Sequence, residues 1–411
     1  MANKEESPHI IGRVFKRGDN SRDDSIPAAI KIITWILRIF CGGLFIFSGF
    51  VKAIDPWGTL FKIEDYLNVF GFPLPFAILR LMVFGLCAVE FIVGCFLLMG
   101  CFRRSCPLFA LLIMFFMLPL TLWIALENPV ADCGCFGDAL LISNWSTFWK
   151  NVILTAGIIW LIRFNRCDIC LITPAFQWLA VLVSGVFILV VEMIGFFDQP
   201  MIDFRDYKVG TDLFAKEDSD DYHGIDVFDV DTADDMTREA ENPEGKELVV
   251  MIPNVAMVSP ATTWKLNSLY EWAEKNGVKM IGVVSGGTQE IEDWEDLSMT
   301  EYPIYLADET QIKEVVRGNP GIVYLDNGKI MWKSTLSAID IDDFLSPEVS
   351  QDASSFGTNN TLMLSNIVCL YLILITFLVC ISFTPRVMNF RNIMVMRPFR
   401  KRLDSHDDKK P

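Results

Sequence analysis

The sequence predicts an α-helical transmembrane bundle of six spans joined to a mixed α/β domain. Three observations predict it. Apolar residues, 52% of the 411-residue chain, gather in six runs of roughly 20 residues, the length a helix needs to cross a bilayer core. Lys and Arg cluster in every second connection between those runs, as alternating spans require. Between the fifth and sixth runs, short strand-like stretches alternate with stretches of helical spacing, the pattern of an α/β domain.

The first span is expected over about Ile32–Ile54, ended by Asp55-Pro56 because proline restricts the residue before it and breaks the helix. Residues 58–72 alternate apolar and charged residues at roughly helical spacing and read as an interfacial segment, too polar to span. The second span runs about Pro73–Gly100, the third Leu108–Leu126, the fourth Thr147–Phe164 and the fifth Pro174–Phe197. Lys150 shortens the apolar core of the fourth span, but a lysine near a helix end can extend its amine to the interface. The sixth span is Leu362–Phe383.

Positive charge sets the expected orientation. It gathers in the N-terminal tail, at Arg103/Arg104, at Arg163/Arg166 and from Arg386 to Arg402. Both termini are therefore expected in the cytoplasm, and the loop after the third span and the segment after the fifth on the outer face. The domain plan is a tail over 1–31, a four-helix membrane domain over 32–165, and a linker with the fifth helix over 166–197. An acidic extracytoplasmic domain over 198–360, a sixth helix over 361–383 and a basic tail over 384–411 complete it. The polar start of the chain reads as a cytoplasmic tail, not a cleaved signal. The formal net charge of −16 arises mainly from 198–360, which argues against nucleic acid as that domain's partner; the partners expected are the bilayer and an extracytoplasmic protein.

Regular patterning within the acidic segment begins near residue 246. Strands are expected at Leu248–Ile252, Val278–Val284, Tyr302–Leu306, Ile322–Leu325 and Ile330–Lys333. Helices are expected at Thr262–Lys275, Thr288–Leu297, Glu309–Arg317 and Ala338–Leu345. Asp326-Asn327-Gly328 is a hairpin signal. The segment 198–360 contains no cysteine, so it folds without thiol chemistry of its own.

Of eleven cysteines, Cys41, Cys87, Cys95, Cys369 and Cys380 lie inside apolar runs, where a lone cysteine behaves as a small hydrophobe. By spacing, Cys101/Cys106, Cys133/Cys135 and Cys167/Cys170 are the pairs to weigh. Cys167 and Cys170, on the cytoplasmic side, read as two free thiols beside a span, and Cys101/Cys106 is weaker still. The stretch Asp132-Cys133-Gly134-Cys135-Phe136-Gly137-Asp138 is the strongest candidate site. Two cysteines one residue apart close only across a sharp turn, and Gly134 permits a positive φ. A small ring of this kind is exchangeable, yet a permanent staple for the loop is an equal reading. Metal binding is not expected, because His9, His223 and His406 are remote from the loop and zinc usually takes four Cys/His ligands.

Arg38, Lys52, Glu90 and Glu192 are costly in lipid and are expected to face the bundle interior. Glu90 could pair with Arg38 or with Lys52 as a structural ion pair, or accept a proton beside a thiol or quinone.

Arg38, the stretch Phe47-Ser48-Gly49-Phe50-Val51-Lys52-Ala53-Ile54-Asp55-Pro56 and the Cys-Gly-Cys loop together resemble the DoxX/MauE group of redox-associated membrane proteins. The resemblance covers about residues 30–165. Pro200-Met201-Ile202-Asp203-Phe204-Arg205 and Asn319-Pro320-Gly321 suggest a longer bacterial version with an appended domain. It implies a helical bundle in the bacterial inner membrane, tied to thiol–disulfide or quinol-linked electron transfer. Quinone is the one cofactor it brings in; the residues themselves make none evident. The group's methylamine link is not carried over, because the extra domain suggests a different partner.

The acidic domain resembles a thioredoxin fold in element order. The region after its first strand, Pro253 to Thr262, holds no cysteine where that fold places its active pair. Pro320 matches the fold's cis proline and is the partner-docking candidate. The expected function is thiol–disulfide exchange or electron transfer through Cys133 and Cys135, supported by Asp132, Gly134 and Asp138. The alternative is a scaffold or assembly factor with a structural disulfide, its domain binding an envelope partner.

Overall fold

The structure, a computed structural model, describes residues 27–72, 74–129, 133–164, 170–214, 224–240, 245–259, 262–345 and 361–383. Six described helices are long and apolar enough to cross a membrane: α1 (Ala28–Ile54), α3 (Phe76–Met99), α4 (Ser105–Glu127), α5 (Asn144–Arg163), α6 (Gln177–Phe197) and α12 (Thr361–Phe383). α2 (Pro56–Phe70) is the expected interfacial helix, with Asp55 capping its start by accepting from the Gly58 amide at 3.0 Å.

α1 starts four residues before the expected boundary, taking in Lys31, whose long stem can follow an apolar surface to the interface. α6 starts at Gln177, three residues later than expected, because residues 174–176 form a turn.

Helices in lipid gain little from hydrophobicity and associate through close packing. α1 and α3 meet backbone to backbone at Gly49 and Gly94. A Cβ on Gly49 would lie 2.5 Å from the Phe91 nitrogen, and one on Gly94 2.5 Å from the Ile46 nitrogen. Only glycine allows this approach, and it brings Lys52 of α1 level with Glu90 of α3.

Between α6 and α12 lies a five-stranded mixed sheet in the order β3-β2-β1-β4-β5. Its strands are β1 (Lys246–Ile252), β2 (Lys279–Val284), β3 (Ile304–Leu306), β4 (Gly321–Asp326) and β5 (Lys329–Thr335). β1, β2 and β3 are parallel, while β4 runs antiparallel to β1 and to β5. Leu248, Val250 and Ile252 enter one core, and Val249 and Met251 the other. That is why β1 reads as continuously apolar rather than alternating.

The helices of the domain are α7 (Thr237–Ala240), α8 (Thr263–Asn276), α9 (Thr288–Ser298), α10 (Glu309–Val315) and α11 (Ile341–Leu345). From β1 onward the alternation of strands and helices is the expected one. Asn327 and Gly328 both take positive φ in the β4–β5 turn, as the hairpin signal predicts. The short α7 precedes this series. β3 and α11 are shorter than expected. α10 stops at Val315 rather than Arg317, because Gln199, just past α6, takes over the Arg317 backbone. The Arg317 amide donates to Gln199 Oε1 at 2.9 Å, and Gln199 Nε2 donates to the Arg317 carbonyl at 2.6 Å.

α12 returns to the bundle. Its Tyr371 hydroxyl shares hydrogen bonds with Ser184 of α6 and Cys95 of α3. The α/β domain is thus held at both ends by helices of one bundle.

Candidate functional site

The Cys-Gly-Cys loop lies between α4 and α5, over the end of α1. Gly134 has φ +62°, the turn expected of it, and the two sulfurs stand 2.7 Å apart. Tyr66 of α2 donates to the Cys133 carbonyl at 2.9 Å, and Ser48 of α1 donates to the Cys135 carbonyl at 2.8 Å. Each cysteine is therefore fixed through its backbone by a different helix.

Ser48 also connects the loop to the charges in the bundle. Its hydroxyl lies 2.8 Å from Glu90 Oε2, and Lys52 Nζ contacts both Glu90 oxygens at 2.8 and 3.0 Å. Both Lys52 and Glu90 are buried. The structure thus chooses between the two expected pairings: Glu90 takes Lys52. Arg38, expected alongside them, lies elsewhere. It is buried farther along α1, donates to the Leu97 carbonyl at 2.8 Å and lies over Trp35. Glu192 is fully buried on α6, as expected of an intramembrane charge.

A cavity of about 40 Å³ is lined by Ser48, Lys52, Glu90, Cys135 and Lys150 among others. It has room for a water. Lys150 does not reach for the interface; its ammonium sits over the Phe136 ring at 4.0 Å, next to the thiol loop. The hydrogen bond from Cys133 draws the Cys135 thiol down to about 6. Burial opposes this, and Lys150 and Lys52 reinforce it. Cys133 is correspondingly raised, by its hydrogen bond with Cys135 and by burial. The arrangement is one thiolate-prone sulfur over a buried cation, with a protonated neighbour in contact.

The loop also meets the α/β domain. Arg317 donates to both oxygens of Asp55, with Nη2 to Oδ2 at 2.7 Å, and to Asp138 at 2.8 Å. Burial alone would raise Asp55, but Arg317 and Arg205 outweigh it and hold the carboxyl below its usual range. Asp138 is raised, by burial first and by Asp55 among the smaller causes, with Arg317 opposing. Pro320 follows Arg317 by three residues, and the Asn319–Pro320 peptide is cis. Asn319 donates to the Asn254 carbonyl at 2.7 Å, joining this loop to the β1–α8 connection.

Cys133, Gly134, Cys135, Asp138, Lys52 and Glu90 therefore form one cluster; Pro320 is linked to it only through Arg317, three residues earlier in the chain. Asp132 lies outside the described residues. Ser48 and Asp55 stood within the first-span motif but were not singled out. Tyr66, Lys150 and Arg317 carried no signal for this site, because only tertiary packing brings them to the loop. Spacing offered Cys101 only Cys106 to weigh, whereas the fold brings its turn against Cys170, with Gln177 bridging the two segments. The described residues contain no group of three or more His, Cys, Asp or Glu able to hold a metal.

Residues 30–164 match the family model described as methylamine utilisation protein MauE. No curated protein matches the chain, and no solved structure does. The match ends before α6, so α6, the α/β domain and α12 lie beyond it. The segment that contains the first-span motif and the thiol loop is thus similar to MauE, and the chain as a whole is a multi-pass membrane protein.

Proposed function

We propose that this protein exchanges thiols and disulfides at the outer face of the inner membrane through Cys133 and Cys135. The observation that carries the reading is the placement of Cys135 in contact with Cys133 and over the buried Lys52. A thiolate is the attacking species in disulfide exchange, and nearby cations favour it. Glu90, bonded to Lys52 and Ser48, is the acceptor placed for a proton released by the pair.

The α/β domain is the docking element of this proposal. Its element order and mixed five-stranded sheet support the thioredoxin-like reading. Its Arg317 presses the loop beside Pro320 against Asp138, so an extended segment of a partner bound there would lie close to the thiols.

In the full-length protein, Cys133→Ser is expected to leave a lasting mixed disulfide on Cys135 after exposure to oxidised glutathione, with thermal stability largely kept. A fall in stability without any mixed disulfide would favour the scaffold reading. That reading has its own support: Tyr66, Ser48 and Arg317 fix the loop at three points.

A quinone acceptor, the cofactor expected from the resemblance, finds its support in an apolar cavity of about 290 Å³ lined by Phe50, Phe91, Phe187 and Tyr371 among others. Loss of quinone binding in Phe187→Ala, with the fold kept, would be its test.

A further inference from the structure

A second pair of thiols meets in this molecule, and no motif announces it. Cys101 lies in the turn between α3 and α4, and Cys170 in the connection that leads into α6. Successive spans run in opposite directions. The α3–α4 and α5–α6 connections therefore share the bundle end opposite the Cys-Gly-Cys loop. There the turn that carries Cys101 lies against Cys170, with the Gln177 side chain bonded both to the neighbouring Phe102 amide and to the Cys170 sulfur, close enough for the two thiols to interact.

The surroundings are built for this contact. The Leu171 amide donates to the Met99 carbonyl at 3.0 Å, tying the Cys170 connection to the end of α3. Gln177, buried at the start of α6, ties the same two segments through its side chain. Its Oε1 accepts from the Phe102 amide at 3.2 Å, and its Nε2 donates to Cys170 Sγ at 3.1 Å and to the Ile172 carbonyl at 3.2 Å. In its thiol form Cys170 donates to that carbonyl at 2.7 Å.

The two sulfurs are not equivalent. Cys101 is 1% exposed, whereas Cys170 is only half-buried. The hydrogen bond from Cys101 draws Cys170 down to about 6, against burial, with Gln177 and Arg103 assisting. Cys101 is raised, first by its hydrogen bond with Cys170 and then by burial, while Arg38 opposes. An accessible sulfur beside a cation and a buried sulfur behind it are the two parts of an exchange centre.

We propose that Cys101 and Cys170 form a second dithiol–disulfide site, facing the side of the membrane opposite Cys133 and Cys135. Its substrate class is a redox protein presenting a reactive disulfide or dithiol. In the direction that reduces the partner, the Cys170 thiolate attacks one sulfur of the partner's disulfide. That S–S bond breaks, a mixed disulfide forms, and the departing partner thiolate takes a proton. Cys101 then loses its proton and attacks the Cys170 sulfur, forming the Cys101–Cys170 disulfide and releasing the second partner thiolate. Two electrons pass to the partner; its first thiolate takes a proton from solvent and its second the proton released by Cys101, and the reverse sequence oxidises a partner dithiol.

The two pairs do not exchange directly. Arg38, which acts on Cys101, and Lys52, which acts on Cys135, are fourteen residues apart on α1, about 21 Å along a helix. Each site therefore serves a partner on its own side.

Full-length protein in detergent would be treated with oxidised glutathione, blocked with maleimide and digested for mass spectrometry. A Cys101–Cys170 cross-linked peptide is expected, reversible by reductant and unchanged in Cys106→Ser and Cys167→Ser. Cys101→Ser should retain glutathione on Cys170, and Cys170→Ser should leave Cys101 unmodified. Gln177→Leu, which keeps both thiols, should slow Cys170 alkylation at pH 6.5 severalfold. In sealed vesicles of either orientation, an impermeant thiol reagent should reach Cys170 and Cys135 from opposite sides. Linkage of Cys170 to Cys167, no cross-link in protein that stays folded and monodisperse, or labelling of both cysteines from one side would each overturn the proposal.

Discussion

Lys52 and Glu90 face one another inside a bundle where either alone would be an uncompensated charge. Breaking a buried pair from one side costs roughly 3–5 kcal/mol, whereas replacing both partners by apolar residues of similar volume is often neutral. Glu90→Met is therefore expected to lower thermal stability strongly, and the double variant Lys52→Met/Glu90→Met to recover most of it. If the recovered variant has also lost thiol exchange, the pair serves the chemistry as well as the fold. Cys135 carries a second prediction at this scale. With its thiol near 6, alkylation of Cys135 should rise with pH through about 6 and flatten above 7. Because Lys150 favours the thiolate, Lys150→Met should move that midpoint upward. An ordinary thiol titrates near 8.5, and a midpoint already there in the unaltered protein would show that neither the Cys133 hydrogen bond nor the cations act on it.

At the scale of elements, α1 and α3 depend on the contact at Gly49 and Gly94. Gly94→Leu would put a side chain where the Ile46 backbone lies. Overpacking costs of about 1–3 kcal/mol or more are expected, seen as a lower melting temperature and weaker protection of Lys52 and Glu90 from solvent. The helices and strands themselves were legible because length and periodicity report them directly. Six apolar runs gave six helices, and β1 declared itself by apolar residues on both faces. Asn327-Gly328 marked its own turn. The boundaries that moved did so for tertiary reasons, as at α10, where Gln199 captures the Arg317 backbone. The site was half legible. Cys133, Gly134, Cys135 and Asp138 are neighbours in sequence, and Lys52 stood out as a charge in an apolar run. Tyr66 and Arg317 come from polar or soluble stretches with nothing to distinguish them. Cys101 and Cys170 were weighed only against the cysteine nearest in sequence, and Cys170 read as a free thiol, whereas the fold brought two separate connections together.

For the whole molecule, the telling contact is Arg317 with Asp55 and Asp138, since it unites the α/β domain, the first span and the thiol loop. Arg317→Ala would leave Asp55 buried without its main cation, at a cost of roughly 3–5 kcal/mol. Faster proteolysis at the domain junction is expected, with the α/β sheet itself intact. Acid should act in the same direction. The folded carboxyl of Asp55 is depressed, so its stabilisation is complete above its ordinary value of 3.8 and is lost as pH falls below it. Hydrogen exchange in α2 and α10 should accordingly increase below about pH 4, and Asp55→Asn should abolish that step.

The double attachment of the α/β domain sets how strong this contact needs to be. A domain joined in the chain to α6 at one end and to α12 at the other cannot diffuse away from the thiol loop. Re-docking after any opening is a unimolecular event at an effective concentration in the millimolar range or above. One arginine held by two carboxylates can therefore keep the domain in place, and a partner bringing a competing charge could lift it without paying for separation. The two tethers let a single arginine hold the whole domain beside the loop.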